Sequence, residues 1–300
     1  MPQSGRQSTS QSELPPAPEG YVIRSCRSIA ELEGCVELQQ RVWGYEPAEV
    51  YPLRLFVNLT HIGGHVLGAF KRPPRGGRQS GEAAAQGDEL VGFVMAMPAW
   101  RDSRRYLHSL SLAVAPGHEN HGLGRLLKLE QRELAIKEGI ARIEWTFDPL
   151  RAKNAFLNIE RLGALTRRYQ PNYYGSVHSR LQQGLPSDRL VCEWWVRSAS
   201  VRKAIGEQWT GRGAGPRVRR AKPAAEIEIP ADFGSLVDRD PAQAVAVQQS
   251  VRRKFERCFR RGLAVTGFER GEEVARYILE PWPEAETKTK HRDTETQRSN

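Results

Sequence analysis

The stretch with the clearest chemical content is LAVAPGHENHGLGRLLKLEQRELAIKEG, residues 112–139. A run with strand character stops at Pro116-Gly117, a short Gly/Asn/His loop follows, and an amphipathic helix begins at about 121. The first N–H groups of a helix lack intrahelical acceptors and sit at the positive end of its dipole, so they favour anions. Gly122 and Gly124 remove the side chains that would hold a phosphate away from the main chain. Gly-x-Gly occurs three times, but the copies at 211–213 and 213–215 lie in a Gly/Arg/Pro-rich segment. Only the copy at 122–124 has a strand before it and a helix after it. No Lys-Ser/Thr follows these glycines, which disfavours a P-loop. A dinucleotide fingerprint needs a third glycine or alanine at position 127, which is leucine.

The surrounding elements read as follows. YVIRSCRS (21–28) is a strand and 29–44 a helix with Leu32, Val36, Leu38 and Val42 near one side. A second helical run, 50–61, ends at Gly63-Gly64. Strands are expected at 64–72 and 89–97, joined by a Gly/Ala/Pro/Gln-rich hairpin loop, and at 106–114. The helix at 121–138 carries a stripe of Leu123, Leu126, Leu127 and Leu134, with Glu130 at its rim. A strand at 141–149, a helix at 152–162, a turn-rich aromatic loop RRYQPNYYG and a strand at 189–198 complete this part. Beyond it come a strand at 225–230, a helix at about 241–261 and a final hairpin, LAVTGFER with EVARYILE. No internal repeat is evident. The alternation says α/β, with more hairpins than a doubly wound sheet has.

The strand, V-x-P, G-x-G loop and amphipathic helix resemble the acyl-CoA-binding motif of the GNAT N-acyltransferase superfamily. The resemblance runs from about residue 21 to 198. It is closer still to a little-characterised bacterial GNAT subgroup, whose hallmarks are matched by LKLEQRE (127–133), WTFDPL (145–150), NAFLNIERLGA (154–164) and NYYG (172–175). The resemblance implies a mixed, mostly antiparallel central sheet flanked by helices, with a C-terminal α/β extension. The expected divisions are a disordered tail (1–19), the GNAT domain (20–205), a basic linker (206–224), the extension (225–283) and a second disordered tail (284–300). The extension would add strands to the sheet or form a lid or a dimer surface.

The resemblance also implies a V-shaped cleft between strands 106–114 and 141–148. Main-chain groups of Leu112, Ala113 and Val114 would border pantetheine, with those of Leu112 and Val114 pairing with its amides. N–H groups of Asn120, His121, Gly122, Leu123 and Gly124 would hold the pyrophosphate, and Arg125 would add charge. An amine would attack the thioester directly, with no enzyme nucleophile. The enzyme would supply positioning, a base for the ammonium and an acid for the leaving thiolate. Three positions depart from the pattern. Glu119 stands where Arg or Gln is usual. Ile159 stands where the proton-donating Tyr is usual. Ala152 stands where a CoA-contacting Asn is usual, leaving Asn154 and Asn158 as substitutes. The acid is therefore sought among Tyr169, Tyr173 and Tyr174, and the base is His108, with Asp148 and Glu144 as rivals. Asp148-Pro149 reads equally well as a turn. His118 and His121 serve the loop, and His61 and His65 a surface. No set of His, Asp, Glu or Cys has metal-ligand spacing.

The composition fits this reading. Of 300 residues, 39% are apolar and 27% charged, which excludes collagen-like and wholly disordered classes. No apolar stretch is long enough for a membrane helix, and the N-terminus lacks the apolar centre of a secretory signal. Cys26, Cys35, Cys192 and Cys258 form no C-x-x-C pair and read as buried, reduced thiols of a cytoplasmic protein. The net charge of +10 is concentrated. Residues 197–222 hold eight basic residues against Glu207, and Arg252, Arg253, Lys254, Arg257, Arg260 and Arg261 lie on the helix 241–261, which could face the 3′-phosphate of CoA. The leading expectation is a CoA-dependent N-acyltransferase acting on a small amine or amino acid. Acetyl-CoA is the default co-substrate. Succinyl-CoA is an alternative if Arg151, Lys153, Arg167 or Arg168 pairs with its second carboxylate. A non-catalytic CoA-binding module and an anion or nucleic-acid binder are the other readings. Sparse aromatics in the basic runs disfavour nucleic acid, and a homodimer is left open.

Overall fold

Strands with both faces covered must be apolar along their whole length, and this chain has several. β2 (His65–Lys71) is buried at every position but its last, and β3 (Glu89–Arg101) is buried through its centre. They belong to the middle of a sheet in the computed structural model, which describes residues 15–73, 88–101, 103–175, 185–206 and 223–282. Most of the expected N-terminal tail, the hairpin segment between β2 and β3, residues 207–222 of the basic linker and the C-terminal tail lie outside the described residues.

The elements alternate as the pattern requires. β1 (Tyr21–Ser25), α1 (Ile29–Trp43) and α2 (Leu53–His61) precede β2 and β3. Ser28 starts α1 by accepting the Glu31 N–H at 3.2 Å. β4 (Arg104–Val114), α3 (Leu123–Lys137) and β5 (Arg142–Phe147) follow. α4 (Ala152–Ala155) continues into a π-helical turn, Phe156–Arg161. β6 (Leu165–Gln170), β7 (Arg189–Trp195) and α5 (Ala199–Gly206) come next. β8 (Ala225–Pro230), α6 (Phe233–Arg239), α7 (Pro241–Arg260), β9 (Leu263–Glu269) and β10 (Val274–Pro281) complete the order.

Among the described residues ten strands form one sheet, β1-β2-β3-β4-β5-β7-β6-β9-β10-β8. Among the described residues every pairing is antiparallel except β4 with β5. The sheet is thus mixed and mostly antiparallel, with helices packed on it. The C-terminal segment extends that sheet, since β9 pairs with β6 at Thr166↔Val265. The apolar side chains fall into two clusters. One lies around β1–β3 with α1 and α2, the other around β5–β10 with α4, α6 and α7, and both reach α3.

Two expectations need correction. The segment RRYQ, read as the start of an aromatic loop, belongs to β6. Its arginines sit in the sheet because facing carboxylates neutralise them: Arg167 bonds Glu193 through Nε (3.1 Å) and Nη2 (3.2 Å), and Arg168 lies 2.9 Å from Glu144. The strand expected at 189–198 stops at Trp195, and 199–206 is helical, as is 233–239.

The C-terminal segment is tied to the rest by Asp188. Arg252 of α7 donates to both of its carboxylate oxygens (2.8 and 2.6 Å), Tyr169 O–H donates at 2.7 Å and the Asn172 N–H at 2.9 Å. The Asp188 side chain is wholly buried. Arg252 is therefore a docking residue, and the carboxylate beside it raises its pKa. Removing one partner of such a pair strands a buried charge. Arg252→Ala is expected to lower stability by about 3 kcal/mol in urea unfolding, whereas Arg253→Ala, on the exposed side of α7, should change it little.

Candidate active site

The parallel pair β4/β5 is short. Only Leu107↔Ile143 and His108↔Glu144 are in register. Beyond them β4 stays with β3 as far as Gly92↔Val114, and β5 stays with β7 as far as Phe147↔Leu190. The two strands therefore part. The β3–β4 register shifts between Met95↔Ser111 and Ala96↔Ser109, so Leu110 is an extra residue. Bulges of this kind bend a strand next to active sites. The gap that opens has a volume of about 150 Å³, and Ser109, Leu112, Lys128, Trp145, Asn154 and Asn158 are among its lining.

The main chain of β4 presents polar groups to this gap. The Ala115 N–H donates to Val91 O at 2.8 Å, toward β3. By alternation the peptide groups of Ala113 also face β3, and those of Leu112 and Val114 face the gap. Ala113 is buried in the core, so it supports the strand and does not border the gap.

The loop above the gap ends at α3. Gly122 has φ 77° and caps the helix without any side-chain hydrogen bond. A Cβ there would meet open space, and one at Gly124 would meet Leu112 at 3.4 Å. Asn120 is left-handed too (φ 63°). The N–H groups of the first turn thus remain available. Arg125 stands in that turn. Its Nη2 is buried without a hydrogen-bond partner, and burial together with neighbouring Arg161 lowers its pKa to about 10. An unpartnered guanidinium atom beside an uncapped helix start fits a phosphate-bearing group. Glu119 is exposed to solvent, clear of the core. His118 and His121 brace the loop against Tyr21: His118 Nδ1 and Tyr21 O–H are 3.0 Å apart, and the His121 ring lies 5.8 Å from that of Tyr21.

The floor of the gap holds a residue not singled out from the sequence. Lys128 is 4% exposed, and its ammonium donates to Ser109 Oγ (2.7 Å) and Gln131 Oε1 (3.2 Å). It lies over the Trp145 ring at 3.9 Å, a contact that favours the charged form. Burial acts the other way and lowers its pKa to about 7. Trp145 Nε1–H donates to Asn158 Oδ1 at 3.3 Å. The available signal was a polar strip, Gly124, Lys128, Gln131 and Arg132, on the sheet side of α3.

The structure does not gather the other candidates into one cluster. His108 is half-buried, with its pKa lowered by burial. It projects to the face opposite Ser109 and Lys128. Glu144, in register with it, is held by Arg101 (2.8 Å), Arg142 (3.2 Å) and Arg168 (2.9 Å). Asp148 accepts the Leu150 N–H at 2.8 Å and closes a turn, with burial raising its pKa. Tyr169 is occupied by Asp188, and its ring stacks on Phe255, outside the gap. Tyr173 and Tyr174 are exposed and packed edge to face, and Tyr174 O–H reaches Thr146 Oγ1 (3.1 Å) at the gap's lip. Asn154 lines the gap. His61 is exposed, but His65, expected at the surface, is buried and meets Glu138 at 3.0 Å.

Residues 35–163 match the model of the acetyltransferase (GNAT) family. That match covers less than half of the chain, takes in the loop, α3 and the gap, and supports the GNAT resemblance. Several solved structures are similar. The ribosomal-protein-S18-alanine N-acetyltransferase from Escherichia coli is 17% identical, over 60% of this chain and 96% of that one, with a TM-score of 0.43. A putative acetyltransferase, yncA, from Salmonella typhimurium with acetyl-CoA is 16% identical, over 61% and 98%, with a TM-score of 0.46. Arabidopsis thaliana NAA60 in complex with a bisubstrate analogue is 16% identical, over 58% and 98%, with a TM-score of 0.44. No curated protein matches the sequence.

A lysine that releases its proton near pH 7 when folded, but near ~10.4 when unfolded, makes stability pH-dependent. Between those limits the unfolded chain binds more protons, so stability rises with pH. Below pH 7 both states are protonated and the penalty is complete. Urea unfolding at pH 7, 8 and 9 should show a rise approaching about 1.4 kcal/mol per pH unit from this group, absent in Lys128→Met. An equal rise in the variant would refute the assignment.

Proposed function

We propose that this protein is a CoA-dependent N-acyltransferase. It moves an acyl group, acetyl in the first instance, by direct attack of the amine of a small molecule or amino acid. The observation that carries this reading is the parting of β4 and β5 directly below an uncapped helix start. The first-turn N–H groups of α3 and Arg125 hold the diphosphate, and the inward peptide groups of Leu112 and Val114 hold the pantetheine arm. The bound co-substrate supplies an activated acyl carbon. His108, kept neutral near pH 7 by burial, takes a proton from the incoming amine. Glu144 is a poor rival because three arginines hold it, and Asp148 is occupied in its turn. Tyr173 and Tyr174 border the approach.

Acetyl-CoA is favoured over succinyl-CoA. Arg167 and Arg168 are engaged by Glu193 and Glu144, and Arg151 lies 3.6 Å from Asp148. The proposed compartment is the reducing cytoplasm, supported by four free, buried cysteines.

Purified protein is expected to be stabilised against heat by CoA and acetyl-CoA, and to release CoA thiol with members of an amine panel. Arg125→Ala should weaken CoA binding about tenfold, the worth of one charge-assisted hydrogen bond. Binding without release across the panel would leave a CoA-binding module. Neither binding nor release would remove the reading.

A further inference from the structure

Breaking a thioester leaves a sulfur anion, and a water-poor gap must neutralise it. Several groups that border this gap are already engaged. Trp145 N–H is bonded to Asn158, and Thr146 Oγ1 meets Tyr174 O–H. Lys128 is different. It sits at the closed end of the gap beside Ser109, one residue past the last register pair of β4. An extended arm that starts at the head of α3 and follows Leu112 along β4 brings its reacting end there.

The ammonium has three donors. Two find acceptors, Ser109 Oγ and Gln131 Oε1. Among the described residues no carboxylate forms an ion pair with it. Two titratable groups couple to its charge: Cys192 of β7, a buried thiol with its pKa raised, and His108 of β4, whose pKa is lowered by burial and, less, by Lys128. The residues facing Lys128 from β4 and β5, Ser109 and Trp145, are uncharged. A buried cation held by two neutral acceptors and a ring face, with no carboxylate beside it, lacks a counter-charge, and an anion arriving in the gap supplies one.

We propose that Lys128 is a catalytic residue of the acyl transfer, hydrogen-bonding to the departing sulfur and stabilising it as a thiolate. This rests on the acyltransferase reading. The amine nitrogen bonds to the acyl carbon, and the carbon–sulfur bond breaks with its electron pair on sulfur. The Lys128 ammonium holds that sulfur as a thiolate, which takes a proton from solvent as the product leaves. His108, on the opposite face, takes the proton lost by nitrogen and releases it to solvent. One proton enters and one leaves per turnover. The nucleophile side and the leaving-group side of the gap are thus served by separate groups.

The test needs no acceptor. The full chain is titrated with CoA and with desulfo-CoA, and the ultraviolet absorption of the bound thiolate is followed against pH. The wild-type protein should bind CoA at least about tenfold more tightly than desulfo-CoA at pH 7, which requires the bound thiol pKa to fall about 2.5 units below its usual ~8.5. Lys128→Met should bind both equally and show no thiolate near neutrality, and Lys128→Arg should keep part of the preference. If Lys128→Met does not fold, Lys128→Gln replaces it, and the wild-type titration decides by itself. CoA bound with an ordinary thiol titration overturns the role of Lys128 and leaves the acyltransferase reading standing. Failure of both ligands to bind overturns both.

Discussion

Everything functional in this molecule depends on two neighbouring strands failing to pair. A parallel pair in the middle of a sheet would normally close along its length, because an open inner edge leaves peptide groups without partners. Here each strand is committed on its outer side, β4 to β3 and β5 to β7. The extra residue at Leu110 bends β4 away just past the last shared pair. The inward peptide groups of Leu112 and Val114 then form a ready edge for an extended amide-bearing ligand, the logic of β-strand addition at molecular scale.

The gap is kept open by polar groups that satisfy one another. Lys128, Ser109, Gln131, Trp145 and Asn158 fill its floor through hydrogen bonds and a cation–π contact. On the other face two carboxylates stand directly opposite each other, Glu144↔Glu193, both almost fully buried. Facing like charges are destabilising, and Arg101, Arg142, Arg167 and Arg168 offset them. That network fixes the strands below the gap and leaves His108, in register with Glu144, half-buried beside it. Farther out, Asp188 joins α7, Tyr169 and the Asn172 turn, so the C-terminal segment steadies the loop that carries Tyr173 and Tyr174.

The elements around the phosphate loop were legible because their signals are local. Gly122, the leucine stripe of α3 and the strand before Pro116 each act within a few residues. β6 was not legible. Arg167 and Arg168 argue against a strand until Glu193 and Glu144 are known to face them. Tyr169 illustrates the same limit. Its place in the chain suggested chemistry, yet its hydroxyl is bound to Asp188, brought near only by the register of β6 with β7. Asp148 was ambiguous in the sequence, and the turn reading holds.

The amino-acid sequence by itself determined the family resemblance, the alternation of strands and helices and the position of the anion-favouring loop, since these follow from periodicity, glycine placement and motifs read along the chain. Only the tertiary structure decided which polar side chains share the gap. Lys128 looks like one more surface lysine on a charged helix until Ser109 and Trp145 close over it. Burial and the loss of counter-charges are properties of what the fold brings from elsewhere, and these set whether a lysine stays a solvated cation or titrates near neutrality.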